Sequence, residues 1–158
     1  MNKTQLQMLI IDKLQADLAV AKDALKFSHE AATHAESKAE NKYDTRGLEA
    51  AYLADGQRRR VHEIETALSS YRNLPARSHH NEVISLGALV SLESSEVRRW
   101  VFLGPDGAGL RVSLDGDEVL VISLRSPLGR ALLGCEEGDE VDVRVKGQSH
   151  RYSVVAVS

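Results

Sequence analysis

Apolar or small residues in the first part of the chain recur in steps of three and four: Leu6, Ile10, Leu14, Leu18, Ala21, Leu25, Ser28, Ala32, Ala35 and Ala39. That spacing draws one stripe along an α-helix. No Pro or Gly interrupts it, and Thr4 is the expected N-cap. A second stripe runs through Leu53, Gln57, Val61, Ile64, Leu68, Tyr71 and Leu74, and Pro75 stops it. Neither helix can bury its stripe alone. Two such helices joined by a short connection are expected to pack antiparallel, giving a coiled-coil hairpin over residues 1–75. Arms of roughly 35 residues would run about 50 Å at 1.5 Å per residue. Gly56 costs the second helix about 1 kcal/mol relative to Ala and marks an expected kink or close backbone approach.

The turn of this hairpin falls within Glu36–Glu49, "ESKAENKYDTRGLE", which holds Glu36, Glu40, Asp44 and Glu49. Charged residues are common at solvated tips. Yet acids at the C-terminal end of a helix oppose its dipole, and clustered carboxylates repel unless a cation or a positive partner receives them. Lys38, Lys42 and Arg46 interleave and neutralise part of the cluster.

Beyond residue 82 the period changes. "ALVSLES", "VRRWVFL", "GLRVSL", "EVLVIS", "DEVDVRV" and "HRYSVVAV" are short, β-branched and partly alternating, with Gly-containing turns among them. "SPLGRALLG" reads as a short helix with Ser126 as N-cap, Pro127 in the first turn and Gly134 at C′. The pattern predicts an α+β chain: a helical hairpin, a polar linker at 76–82, and an antiparallel sheet of about six strands with one helix at 83–158.

Charge narrows the function classes. Residues 1–75 carry 11 Lys+Arg against 11 Asp+Glu, and residues 76–158 carry 9 against 12, for a net charge of −3. A slightly acidic chain without a basic face is poorly suited to grip nucleic acid directly. The single cysteine, Cys135, excludes an internal disulfide and fits a reducing, cytoplasmic setting. No apolar run spans a bilayer, so no membrane partner is expected.

At Ile122–Val145, "ISLRSPLGRALLGCEEGDEVDVRV", the chain resembles the C-terminal domain of the Gre-type bacterial transcript cleavage factors (GreA/GreB). Their pattern there is approximately I-S-x-x-S-P-[IL]-A-R-A-L-[IL]-G-K-x-x-G-D-x-V-x-V. The resemblance implies a coiled-coil hairpin followed by an FKBP-like β domain. It also implies a partner, RNA polymerase, gripped through the C-terminal domain, with the hairpin sent down the pore to the polymerase active site. Nucleic acid is then met only indirectly, within the elongation complex, and a monomer is expected.

The resemblance further implies that tip acids help hold a second Mg²⁺ while the polymerase hydrolyses backtracked RNA, so the chain is an accessory factor and not itself an enzyme. This is two-metal chemistry with one ligand set supplied in trans. No cofactor is tightly bound; the Mg²⁺ is shared with the polymerase. Glu40 and Asp44 are the expected metal-facing acids, with Glu36 and Glu49 in reserve. Arg125, Ser126, Pro127 and Arg130 are the expected partner-binding residues.

Two departures qualify this. The family tip reads approximately G-D-x-x-E-N-x-E-Y, and no register of this sequence supplies both acids. Arg125 stands where the family pattern has Asp or Asn, which would retarget a charged contact. Gly129 for a usual Ala, and Cys135 for a usual Lys, read as neutral drift. The alternatives are a non-cleaving regulator of the same pore, or a coiled-coil interaction protein or chaperone unrelated to polymerase.

Other motifs carry less. His29 and His34 in "HEAATH" are five apart, whereas one helix face requires four. His79-His80 read as solvated linker, and Arg58-Arg59-Arg60 as a solvated helix face. Cys135 lacks an activating neighbour. Trp100 and Phe102 read as core, which leaves too few aromatics for an isomerase pocket.

Overall fold

The computed structural model describes residues 1–37 and 46–158. Two long helices come first, α1 (Lys3–Ser37) and α2 (Arg46–Arg72). The strands are β1 (Leu89–Ser94), β2 (Val97–Leu103), β3 (Arg111–Leu114), β4 (Asp117–Ile122), β5 (Glu140–Val145) and β6 (Gln148–Val157), with α3 (Pro127–Leu132) between β4 and β5. Residues 13–68 form one compact unit, and residues 1–12 with 69–158 form another.

In the helical unit the α1 stripe is buried at Leu14, Ala21, Ser28 and Ala32. On α2 the expected stripe shifts. Leu53 points to solvent, while Ala54, one position on, is buried. Going back from Ile64 in helical steps of three and four reaches Val61, Gln57 and then Ala54, so the inward position takes a methyl group and leaves Leu53 outside. Among the described residues Gly56 marks no close approach: apart from its own helix backbone, the nearest atom to a Cβ added there is in the Arg59 guanidinium, 3.9 Å away. Arg58 bridges to Asp55 and lies 3.4 Å from His29 Nδ1 on α1. The basic triplet is thus partly engaged along its own helix, with Arg60 3.7 Å from Glu63.

The start of α1 corrects the expected cap. Asn2, not Thr4, lies ahead of the helix. Its side-chain oxygen accepts from the Gln5 amide at 3.1 Å and its carbonyl from the Leu6 amide at 3.0 Å. Thr4 already lies inside the first turn. Either residue type suits a cap; the chain uses the earlier one, which leaves Leu6 and Ile10 fully buried.

The sheet order is β3-β4-β2-β1-β6-β5. Four of its pairings are antiparallel, but β2 and β4 run parallel, Trp100 opposite Val119 through Leu103 opposite Ile122. The reason is the placing of β3: it takes the outer edge, so β4 returns in the direction of β2 and slots between them. Strand β1 pairs with β2 on one side and with β6 on the other, the last with a register shift between Ser91 and Leu92. The core joins Val90, Leu92, Val101, Leu103, Ile122, Leu132, Val141, Val143 and Val154 beneath α3. Phe102 is fully buried, as expected, whereas Trp100 is only half-buried and is not one of the buried core residues.

Candidate functional site

The expected docking residues sit on a loop whose shape is fixed by its own hydrogen bonds. The Ser126 hydroxyl donates to the Ser123 carbonyl at 2.7 Å and accepts from the Gly129 amide at 3.0 Å. The second of these is the N-cap bond of α3, and Pro127 occupies the first turn as its fixed φ favours. The Arg125 amide donates to the Ser123 hydroxyl at 3.0 Å. Gly134, with φ of 83°, follows the C-cap Leu133 and ends the helix. Ser126 is therefore spent on local structure. Arg125, Pro127 and Arg130 are left exposed.

Gly129 is not neutral here. A Cβ at this position would lie 2.0 Å from the Ser123 carbonyl oxygen. The turn ahead of α3 is drawn in until only a hydrogen fits, so an alanine would push the loop outward.

Beside this loop lies an open groove of about 530 Å³, bordered by Leu86, Pro105, Asp106, Ser123, Leu124 and Arg125. Its far wall is anchored to the end of α2. The Tyr71 hydroxyl donates to the Asp106 carbonyl at 2.8 Å, and the Ser70 hydroxyl to the Asp106 carboxylate at 3.0 Å. The Tyr71 ring lies 6.4 Å from that of Phe102. Burial first, and then the Asp106 charge, push the Tyr71 hydroxyl well above the ordinary tyrosine range, so it stays a donor. Gly104 permits this contact, because a Cβ there would meet Tyr71 Oη at 2.2 Å. Sequence reading missed Asp106 and Tyr71 as partners. The one available signal was the glycine-rich "LGPDGAG", whose close approaches only the fold reveals.

A second feature was misread from sequence. His79 is not solvated linker but 1% exposed. Its Nδ1 lies 2.8 Å from Lys3 Nζ, which also donates to the Gly87 carbonyl at 3.1 Å. Gly87 lies against the ring, where a Cβ would make only an ordinary contact at 3.6 Å; its φ of 87°, not lack of space, is what favours glycine.

The tip acids are less fully placed. Glu40 and Asp44 lie outside the described residues. Glu36 belongs to the last turn of α1 by its backbone, and its side chain lies outside the described part. Glu49 is exposed in the first turn of α2, where a carboxylate suits the helix dipole. Among the described residues no three His, Cys, Asp or Glu side chains converge as a metal site. No helix among them is long and apolar enough to cross a membrane. The Cys135 thiol bonds the Ala131 carbonyl and is raised by burial and then by Asp139, the reverse of an activated nucleophile.

Residues 79–158 match the family described as "Transcription elongation factor, GreA/GreB, C-term". Transcription elongation factor GreA of Desulfovibrio desulfuricans is 34% identical over 102 residues, covering 63% of this chain and 59% of that protein. GreA of Thioalkalivibrio sulfidiphilus is 30% identical over 166 residues, covering 99% of this chain and 98% of the relative. Among solved structures, the GreA factor homolog 1 (Gfh1) protein of Thermus thermophilus is 25% identical, with 94% of each chain covered and a TM-score of 0.39. The C-terminal match over half the chain, together with one alignment spanning nearly all of it, makes this chain a member of the GreA/GreB family of transcription elongation factors.

Proposed function

We propose that this chain docks on RNA polymerase through the loop at Ser123–Arg130 and delivers its hairpin tip to the polymerase active site, assisting hydrolysis of backtracked RNA. One observation carries the docking half. The loop's backbone is fixed internally while the side chains of Arg125, Pro127 and Arg130 stay exposed beside an open groove. A preformed loop loses little conformational entropy on binding. An exposed arginine at its centre selects a partner surface carrying a carboxylate.

The cleavage half rests on Glu40 and Asp44, with Glu36 and Glu49 in reserve. Carboxylate oxygens are the donors Mg²⁺ prefers, and one or two suffice beside water and phosphate. When bound, that ion would supply charge neutralisation and an activated water within the polymerase site. The protein itself contributes ligand oxygens and their placement, and remains an accessory factor. A second reading is occupation of the pore without cleavage. It is favoured by the tip sequence, in which no register supplies two acids three residues apart.

The test is a stalled, backtracked elongation complex of the cognate polymerase, incubated with Mg²⁺ and this protein. Shortened RNA with a released 3′ fragment is expected, lost in Glu40→Ala/Asp44→Ala while binding survives. Arg125→Glu should weaken binding by at least about tenfold, the scale of one desolvated charge contact. Binding without shortening would overturn the cleavage reading and favour the pore-occupying one, and absence of binding would overturn both.

A further inference from the structure

The Lys3–His79 pair joins two stretches of chain 76 residues apart, and neither has a part in the function proposed above. An ammonium nitrogen can only donate, so His79 Nδ1 must accept and the imidazole proton sits on Nε2. Nε2 is buried and has no partner among the described atoms. The ring is thus held neutral, with its tautomer chosen by Lys3. We infer that Lys3 and His79 form a proton-operated latch, which ties the first turn of α1 to the segment ahead of β1 and is released by acid.

The geometry sets the direction. Nδ1 carries the ring's only basic lone pair, the one that accepts from Lys3, so an added proton must go there. It would replace an acceptor with an N–H aimed at an ammonium 2.8 Å away. Lys3 would keep only the Gly87 carbonyl, which cannot offset two adjacent cations. Leu6 and Ile10 follow Lys3 on the buried face of α1, so release of Lys3 loosens the anchorage of that face.

The charged groups around the ring agree. His79 is held below its ordinary 6.5 by burial first, then by Lys3, then by Arg77; Glu82 and the Arg77 backbone pull weakly the other way. Arg77 and Glu82 pair with each other at 2.7 Å, which blunts both. Lys3 is lowered to about 8 by burial and then by Arg77, against Glu82. The unfolded chain therefore protonates His79 more readily than the folded one. The stability tied to neutral His79 is complete above about pH 6.5 and is lost as pH falls through its lower folded value.

The experiment follows amide hydrogen exchange of residues 3–12 in the full chain between pH 8 and pH 5, normalised for intrinsic exchange, with His79 titrated by NMR in the same samples. Residues 140–157 of the β5–β6 hairpin serve as an internal control. Protection of residues 3–12 should fall on the order of tenfold as His79 protonates, at a midpoint below 6.5, while the control stays level. His79→Asn supplies an accepting oxygen near Nδ1 that does not titrate, and should remove the pH dependence. Lys3→Met should raise the His79 midpoint and lower protection at every pH. The latch is overturned if His79 titrates at or above 6.5, or if wild type and His79→Asn show the same profile. Because the wild-type midpoint needs no variant, a failure of His79→Asn to fold leaves the question decidable.

Discussion

The helical unit and the sheet unit spend their apolar residues differently. Between residues 13 and 68 several of the inward positions are small (Ala21, Ser28, Ala32, Ala54), while Phe27, Tyr52 and Leu53 face solvent at 76%, 66% and 57% exposure. In the sheet unit the inward positions hold Val, Leu, Ile and Phe, and most are nearly sealed from water. A helix hairpin uses one stripe on each arm, and small residues there let the arms approach. A sheet covered by a helix draws on residues distant in sequence and must fill volume. The first region therefore tolerates change where the second does not.

Glycine gives the sharpest way to test that contrast. Gly104→Ala places a methyl 2.2 Å from Tyr71 Oη and 2.8 Å from Val121. Tyr71 cannot retreat, since it is buried and bonded to Asp106. A loss of about 3 kcal/mol is expected in urea unfolding, the upper end of overpacking costs. Gly56→Ala should do the opposite. Its Cβ meets nothing closer than 3.9 Å, so the helix gains up to about 1 kcal/mol from propensity alone. A destabilised Gly56→Ala would mean that the α2 backbone is constrained there after all. The smallest effect belongs to Leu53→Lys. At an exposed helix position it should move stability by less than about 0.5 kcal/mol in the same titration. A larger loss would show that Leu53 covers an apolar partner and that the inward stripe is wider than Ala54 suggests.

Much of this architecture was legible in the sequence because it is periodic. The α1 stripe, the six strands and the capped α3 all follow from local spacing, with Ser126, Pro127 and Gly134 in their expected places. The β1–β2 turn was harder. Ser95 and Glu96 adopt φ of 49° and 65° without a glycine to announce them. What spacing could not show was which distant residues meet. Nothing in "ARSHHNE" says that Lys3 will cover His79, or that Tyr71 will reach Asp106. Nor does a Gly at 129 reveal, from sequence, that the Ser123 carbonyl lies where its Cβ would be. The loop proposed for docking could be located by motif. That its serine is consumed internally, leaving the arginines outward, is a property of the folded chain.

The place of β6 bears on how the domain is made. The inner strand β1 emerges from a ribosome early, yet one of its two neighbours is the last strand of the six, with Val90 opposite Val157. Loop closure over more than 60 residues must precede that pairing, which slows folding relative to local hairpins. Until β6 appears, one side of β1 presents unpaired backbone groups and open apolar surface. During synthesis β1 thus stays an open edge, and β5 lacks its only partner, until the last strand of the sheet arrives.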